Sequence, residues 1–134
     1  MKIILHSKYK NQENSILQLV TGFLTEGDLI VKGTRNIIKS NFLGEEKVNI
    51  KFFQKPGWFK SIIYSFFRST KAKRSYDYAN YLIEHNILTP FPIAHIENRS
   101  RLGLLKDSYY ISKHIDYDFT IRELIHDPLF PERN

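Results

Sequence analysis

Three runs of β-prone residues in the first half of the chain predict three β-strands. The strands cover residues 29–32, 36–42 and 47–53, and short polar turns at 33–35 and 43–46 separate them. Parallel strands require a crossover connection of about a dozen residues or more, which these turns do not allow. The pattern therefore predicts an antiparallel meander.

A strand and a helix are predicted ahead of the meander. Residues 2–6 are β-prone, and Asn14 or Ser15 can cap a helix whose apolar residues continue as far as Leu24. Gly27 is expected to end this helix. Residues 1–27 are thus interpreted as a leading strand and helix.

Two further helices are predicted by apolar residues at helical spacing. The first covers residues 58–68, and its apolar side is expected to pack in the core, with insertion into a membrane surface as the alternative. The second covers residues 71–85 and begins at a cap formed by Ser69 or Thr70. Asn86 is expected to end it, because asparagine tolerates the left-handed conformation.

Two more strands complete the predicted sheet. Residues 91–97 overlap a Thr-Pro-Phe-Pro step that enforces extended backbone, and residues 109–114 form the second strand. A short helix is predicted at 120–126. The order of three strands, helices and two strands predicts an α+β fold with a five-stranded antiparallel sheet and helices packed on it.

Composition and charge narrow the classes of partner. The 134 residues predict one domain, and the lack of cysteine excludes disulfides and thiolate chemistry. The net charge of +6 and the pI of about 9.5 favour anionic partners, namely nucleotides, nucleic acid or an anionic membrane. The sequence has no signal-peptide pattern and no run of about 18 apolar residues, so a cytoplasmic location is expected.

The third predicted strand contains a lysine, Lys51, among apolar residues. Side chains alternate along residues 47–53, so Val48 and Ile50 face one side while Asn49 and Lys51 face the other. Such a lysine needs a counter-charge or a phosphate. Protein kinases place a lysine on a strand of the form Val-Ala-x-Lys, and this chain has Val-Asn-Ile-Lys.

A longer motif follows at residues 69–97. It begins Ser-Thr-Lys-Ala-Lys-Arg-Ser-Tyr-Asp-Tyr and ends Asn-Ile-Leu-Thr-Pro-Phe-Pro-Ile-Ala-His-Ile-Glu. This stretch resembles the lipopolysaccharide core kinase family, the Kdo and heptose kinases of the protein-kinase-like superfamily, except that Asn86 replaces a glycine. The turn 33–36 with Lys39 is similar to the family's Gly-Arg-Asn-x-x-Lys turn, with one residue more. Residues 108–124 resemble the strand and hinge that lead into the family's second lobe.

The resemblance implies a kinase N-terminal lobe at residues 1–115, with a hinge and the start of a C-terminal lobe at 116–134. It implies ATP as the cofactor, with Lys51 on the α- and β-phosphates and Asp77 as the ion-pair partner of this lysine. The family often has Glu where this chain has Ser75. The residues that the resemblance assigns to the nucleotide site are Lys51, Asp77, Gly33, Arg35, Asn36, Asn49, Ser112 and His114.

The residues of phosphoryl transfer are not found in the sequence. Residues 114–116 and 118–119 imitate two kinase motifs, but the asparagine and the glycine that should follow them are missing. The histidines also lack the spacing of metal ligands. The resemblance implies that the catalytic base, the Mg²⁺ ligands and the site for a lipopolysaccharide-core sugar belong to the C-terminal lobe. The chain alone is therefore expected to be inactive.

Other interpretations stay open. Asp77 lies within one helical turn of Lys73 and Arg74 and can pair with them instead, and Lys51 can lie on a solvated face. The rival to a kinase lobe is a small basic module that binds nucleic acid or a partner protein, as a pseudokinase-type lobe would. Nucleic acid is disfavoured because the aromatic residues fall on amphipathic faces and not on a stacking platform. A peripheral contact with the inner membrane is the remaining expected partner.

Overall fold

The computed structural model describes residues 1–34, 36–54, 57–66 and 68–115. The predicted hinge and helix within 116–134 lie outside the described residues. The strands are β1 (Lys2–Leu5), β2 (Asp28–Lys32), β3 (Asn36–Leu43), β4 (Glu46–Phe53), β5 (Pro92–Arg99) and β6 (Leu105–Lys113). The helices are α1 (Glu13–Thr21), α2 (Trp58–Phe66) and α3 (Lys71–Glu84), and a 3-10 helix, Ser7–Gln12, precedes α1.

The described residues form an α+β fold around one antiparallel sheet. Its strand order is β1-β5-β6-β4-β3-β2. The predicted meander is confirmed, since β2 pairs with β3 and β3 with β4, both antiparallel. Gly44 lies in the tight turn between β3 and β4 at a φ of 65°, a conformation that costs glycine little.

The prediction of five strands is wrong, because the sheet has six. β1 pairs with β5 from Lys2 opposite Glu97 to Leu5 opposite Ala94, and the next backbone N–H, of His6, donates to the Ile93 carbonyl at 2.8 Å. β1 thereby pairs backbone N–H and C=O groups of β5 that would be unpaired if β5 were the edge of the sheet. Its four residues are β-prone in the sequence, but the sequence pattern does not name a partner some ninety residues away along the chain.

The predicted bounds of the first helix are also wrong. The helix α1 ends at Thr21 and not near Gly27, and neither Asn14 nor Ser15 caps it, since both lie inside it. The 3-10 helix runs directly into α1, so the backbone is already wound where a side-chain cap would act. At the other end, the Gly22 N–H donates to the Gln18 carbonyl at 3.0 Å and closes the last turn.

One face of the sheet forms the hydrophobic core with α1 and the 3-10 helix. Val48 and Ile50 lie in it, almost completely buried, as the alternation along β4 predicts. Phe23, just after α1, contacts the rings of Phe52 and Tyr109 at centroid distances of 5.4 and 5.7 Å. This packing leaves the opposite face of β4, which bears Asn49 and Lys51, for a different neighbour.

That neighbour is α3, which packs across β5 and β6. Its buried side chains are Ala72, Tyr76 and Ala79. The predicted cap and stop are both confirmed: the Thr70 hydroxyl accepts a hydrogen bond from the Lys73 N–H at 3.1 Å, and Asn86 has a φ of 59°. The helix therefore has a fixed start, which sets the side of α3 that faces Lys51.

Thr70→Ala should destabilise the fold by about 1–2 kcal/mol, because it removes the cap of α3 and leaves the Lys73 N–H without its acceptor. The Thr70 side chain is 1% exposed, so water cannot readily replace the hydroxyl. Urea unfolding followed by circular dichroism measures the change. Thr70→Ser keeps the hydroxyl and should recover most of the loss; equal losses in both variants would contradict a capping role.

Candidate functional site

An open cavity of about 770 Å³ lies between α3 and the strand that carries Lys51. The sheet contributes two lining residues and the helix the remainder. The lining residues are Lys51, Phe53, Lys71, Arg74, Ser75, Asp77, Tyr78 and Tyr81. Two of the predicted site residues, Lys51 and Asp77, are thus brought to the same cavity by the packing of α3 on the sheet.

The Lys51 ammonium is partly desolvated, and the described residues supply no counter-charge to it. Burial lowers the pKa of Lys51, and the positive charge of Lys71 lowers it further. The Nζ atom lies 5.3 Å from the centroid of the Phe53 ring. Within the part of the chain that the structure describes, no carboxylate lies within 4.0 Å of this ammonium. An anion that enters the cavity would supply the missing charge.

The predicted Lys51–Asp77 ion pair is not formed. The Asp77 carboxylate instead accepts a hydrogen bond from the Lys73 ammonium, one turn earlier on α3. Both side chains are about half exposed, so this is the helix-surface pair that the sequence offered as the alternative. The reason is local, because the short Asp77 side chain has a cation on its own helix. Ser75, the position at which the sequence resemblance would place a Glu, lines the cavity without a charge.

Two cations on α3 also line the cavity, although the sequence did not predict them as site residues. Lys71 and Arg74 line it together with Lys51, so three positive groups face one carboxylate, Asp77, which Lys73 already binds. Tyr78, Tyr81 and Phe53 were also missed. The signal was present in the sequence: positions 71, 74, 78 and 81 are three or four apart and share one helical face.

The predicted phosphate-covering turn lies toward the same end of the sheet. Asn36 pairs with Phe53 and Ile38 with Lys51, so the turn between β2 and β3 begins two residues beyond the partner of the lysine. The Gly33 N–H donates to the Asn36 carbonyl at 2.8 Å. A Cβ atom at Gly33 would lie 2.8 Å from the Asn36 Oδ1 atom, so a larger residue there requires the Asn36 side chain to shift. Arg35 lies outside the described residues.

Asn49, Ser112 and His114 form a second group on the same face. Asn49 pairs in register with Ser112, and the His114 Nδ1 atom lies 2.7 Å from the Asn49 Oδ1 atom. Ser112 lines a smaller cavity of about 230 Å³ beside α3, together with Tyr110. Ser75 and Tyr78 line both cavities. The three predicted residues therefore lie together, on a surface that continues from the lysine cavity.

A buried polar cluster under α3 was not predicted. His95 is 2% exposed and packs against the Tyr76 ring at a centroid distance of 5.0 Å. Its Nδ1 atom has no hydrogen-bond partner among the residues that the structure describes and lies 4.0 Å from the Glu97 carboxylate, which binds Arg99 at 2.7 Å. Burial lowers the pKa of His95, and the negative charge of Glu97 partly opposes this shift. The cluster does not line the lysine cavity.

Metal ligation and membrane spanning find no support in the described residues. Among them, no group of three His, Asp or Glu side chains is arranged to hold a metal ion. None of their helices combines the length and the apolarity that crossing a membrane needs. Asp116 and Asp118, which imitate kinase motifs in the sequence, lie outside the described residues.

The fold and the cavity define a class: an α+β lobe in which a helix packs over a lysine on the third strand of an antiparallel meander. No protein-family model matches the chain, and no curated protein sequence matches it. Among solved structures it is similar to WaaP in complex with acyl carrier protein, with a TM-score of 0.59 and 12% sequence identity. The similarity covers 93% of this chain but 45% of the WaaP chain, so this chain spans less than half of that length. The two share a fold.

Proposed function

We propose that this chain is the nucleotide-binding lobe of an ATP-dependent kinase related to the kinases of the lipopolysaccharide core. Two independent lines support the proposal. The motif at residues 69–97 resembles that family, and the fold is similar to that of WaaP, itself a lipopolysaccharide core kinase. The observation that carries the proposal is Lys51, a half-buried cation that has no carboxylate partner among the described residues and faces a cavity with two further cations.

ATP fits this cavity through its phosphates. In protein kinases a lysine on the third strand of the N-terminal lobe contacts the phosphates, and a glycine-containing turn covers them. Lys51 is on the third strand of the meander, and the Gly33 turn lies toward the same end of the sheet. Lys71 and Arg74 add positive charge on the helix side. We assign the phosphates to these three cations.

The adenine is assigned to the neighbouring group of Asn49, Ser112 and His114. Asn49 lies two residues from Lys51 on the same face of β4, and the backbone near His114 follows the end of β6. Backbone and amide groups there offer the donors and acceptors that a base edge requires. The small cavity beside α3 joins this group to the lysine cavity through shared lining residues.

Mg²⁺ does not fit the described residues. This ion takes oxygen ligands, chiefly carboxylates and phosphates. The lysine cavity offers one carboxylate, Asp77, and Lys73 already binds it. In the proposed function, the Mg²⁺ ligands, the catalytic base and the site for a lipopolysaccharide-core sugar belong to a second lobe.

The proposal predicts binding without catalysis. ATP should raise the unfolding temperature of the purified chain, because a ligand that binds only the folded state stabilises it. No ATP-dependent phosphorylation of a sugar should be detected. Differential scanning fluorimetry and a radiolabelled phosphate assay check the two statements. Sustained sugar phosphorylation that Lys51→Ala abolishes would overturn the expected inactivity. Steeply salt-dependent nucleic-acid binding without ATP-induced stabilisation would favour the rival module.

Asp77→Asn should tighten ATP binding by about twofold to fivefold, because it removes the negative charge that faces the phosphates at a partly exposed site. Stability should change by less than about 0.5 kcal/mol, since the lost Lys73–Asp77 pair is an exposed helix pair. Isothermal titration calorimetry measures the affinity. If Asp77 instead orients Lys51 in the ATP complex, the same variant will bind ATP more weakly. That result would contradict the assignment of the phosphates to cations alone.

A further inference from the structure

The helix α2 presents an apolar stripe to solvent. Phe59 is 71% exposed and Phe66 is 63% exposed. They are seven residues apart, which is close to two helical turns, so they lie on the same side of the helix. Ile62 and Ile63, between them on that side, are partly exposed. We call Phe59, Ile62, Ile63 and Phe66 the α2 stripe.

This exposure differs from what the sequence predicts. Apolar residues at helical spacing are expected to face the core, and the α2 stripe has that spacing. The helix does contact β6, yet that contact leaves both phenylalanine rings in water. Exposed aromatic residues that align on one helix mark an interaction surface more often than isolated apolar residues do.

The charge around α2 identifies the partner. Residues 54–76 contain six Lys or Arg and no Asp or Glu, although the whole chain has 14 acidic residues. Lys60 follows Phe59 on the helix itself and is exposed. Lys71 and Arg74 are exposed at the start of α3. A segment in which exposed aromatic rings are accompanied by cations and by no acidic residue complements a face that is both apolar and anionic.

We propose that α2 lies in the interface of a membrane that contains anionic lipids. Phe59 and Phe66 would enter the boundary between headgroups and acyl chains, as the apolar side of an interfacial helix does. Lys60 and the cations that flank the helix would lie among the anionic headgroups. The rings that would enter the membrane lie on α2, whereas the nucleotide cavity is lined by α3 and the sheet among the described residues, so the two sites share at most the cations Lys71 and Arg74.

Co-sedimentation with lipid vesicles tests the proposal. The chain should sediment with vesicles of phosphatidylcholine and phosphatidylglycerol and stay in solution with vesicles of phosphatidylcholine alone. The double variant Phe59→Ser/Phe66→Ser should lose at least about tenfold in partitioning, because it removes two buried aromatic rings from the bound state. Raised salt should weaken the binding of the wild-type chain, since the headgroup contacts are electrostatic.

A matched control uses exposed apolar residues elsewhere. Phe42 on β3 is 56% exposed and Leu88 after α3 is 87% exposed. The double variant Phe42→Ser/Leu88→Ser should bind vesicles as the wild-type chain does. Equal loss in both double variants, or wild-type binding by the α2 variant, would overturn the proposal. Failure of the wild-type chain to bind anionic vesicles would also overturn it.

Three further measurements distinguish membrane binding by α2 from nucleotide binding and from self-association. The α2 variant should keep its ATP-induced stabilisation, so a failure of nucleotide binding and a failure of membrane binding remain distinguishable. Lys60→Glu should reduce partitioning into anionic vesicles while leaving both rings in place. Analytical ultracentrifugation without lipid should show the same mass for wild type and α2 variant. Self-association that the α2 variant abolishes would overturn the proposal in favour of a contact between copies of the chain.

Discussion

Lys51→Met is expected to remove most of the ATP-induced stabilisation of this chain without unfolding it. The loss follows from removing the cation that the described part of the sheet presents to the cavity, which the proposal places on the phosphates. Hydrogen bonds to charged groups contribute about 1.5–3 kcal/mol, so the dissociation constant for ATP should rise by about tenfold to a hundredfold. Isothermal titration calorimetry measures this change directly.

The fold should tolerate Lys51→Met because the partly buried charge of Lys51 destabilises the folded state. Burial and the charge of Lys71 both lower the pKa of this lysine, which means that its charged form is destabilised in the folded state. Methionine keeps a similar length and needs no counter-charge. The free energy of unfolding in urea should therefore not fall. A variant that loses ATP binding and also unfolds would leave Lys51 as a structural residue and contradict the assignment.

Lys47→Met is the matched control for Lys51→Met. Lys47 lies on β4, four residues earlier and on the same face of the strand, but it is exposed and does not line the cavity. The substitution removes the same charge from the same element. ATP affinity should change by less than about twofold, because a surface charge beyond about 10 Å is largely screened by salt. Equal effects of both substitutions would indicate a diffuse attraction between a basic protein and an anion.

The position of Lys51 was predictable because strand alternation is a local property. A period of two fixes which side chains share a face, so Val48 and Ile50 in the core require Lys51 on the opposite side. The counter-charge was not predictable in the same way. The sequence allows Asp77 to pair either with a cation on its own helix or with Lys51 on the sheet. Only the packing of α3 decides between these two partners, and it favours Lys73.

The features that were not predicted share a physical reason. The leading strand was predicted but its place in the sheet was not, because β1 pairs with β5 across most of the length of the chain and no local signal identifies that partner. The α2 stripe has the periodicity of a core-facing helix, but periodicity reports only that the apolar residues share one side, not what covers that side. Lys71 and Arg74 differ from these cases, since their spacing along α3 already placed them on one helical face with Tyr78 and Tyr81.

The N-terminal segment is an integral part of the lobe, and Phe23→Ala is expected to show this by destabilising the fold by about 3–5 kcal/mol. Phe23 is 2% exposed and joins three elements: its ring contacts Phe52 on β4 and Tyr109 on β6, and its carbonyl accepts from the Lys39 ammonium of β3 at 2.6 Å. Alanine leaves a cavity between α1 and the sheet that neighbouring rings cannot fill.

Leu24→Ala is the matched control for Phe23→Ala, because it truncates an apolar side chain at the next position, where the side chain is exposed. Leu24 is 76% exposed, so truncating it should change the stability by less than about 0.5 kcal/mol. Urea unfolding monitored by tryptophan fluorescence and circular dichroism measures both variants. Since small domains are stable by only about 5–15 kcal/mol, Phe23→Ala should shift the unfolding midpoint strongly. A loss below about 1 kcal/mol for Phe23→Ala would mean that residues 1–27 are an appendage, and that the lobe is complete from β2 onward.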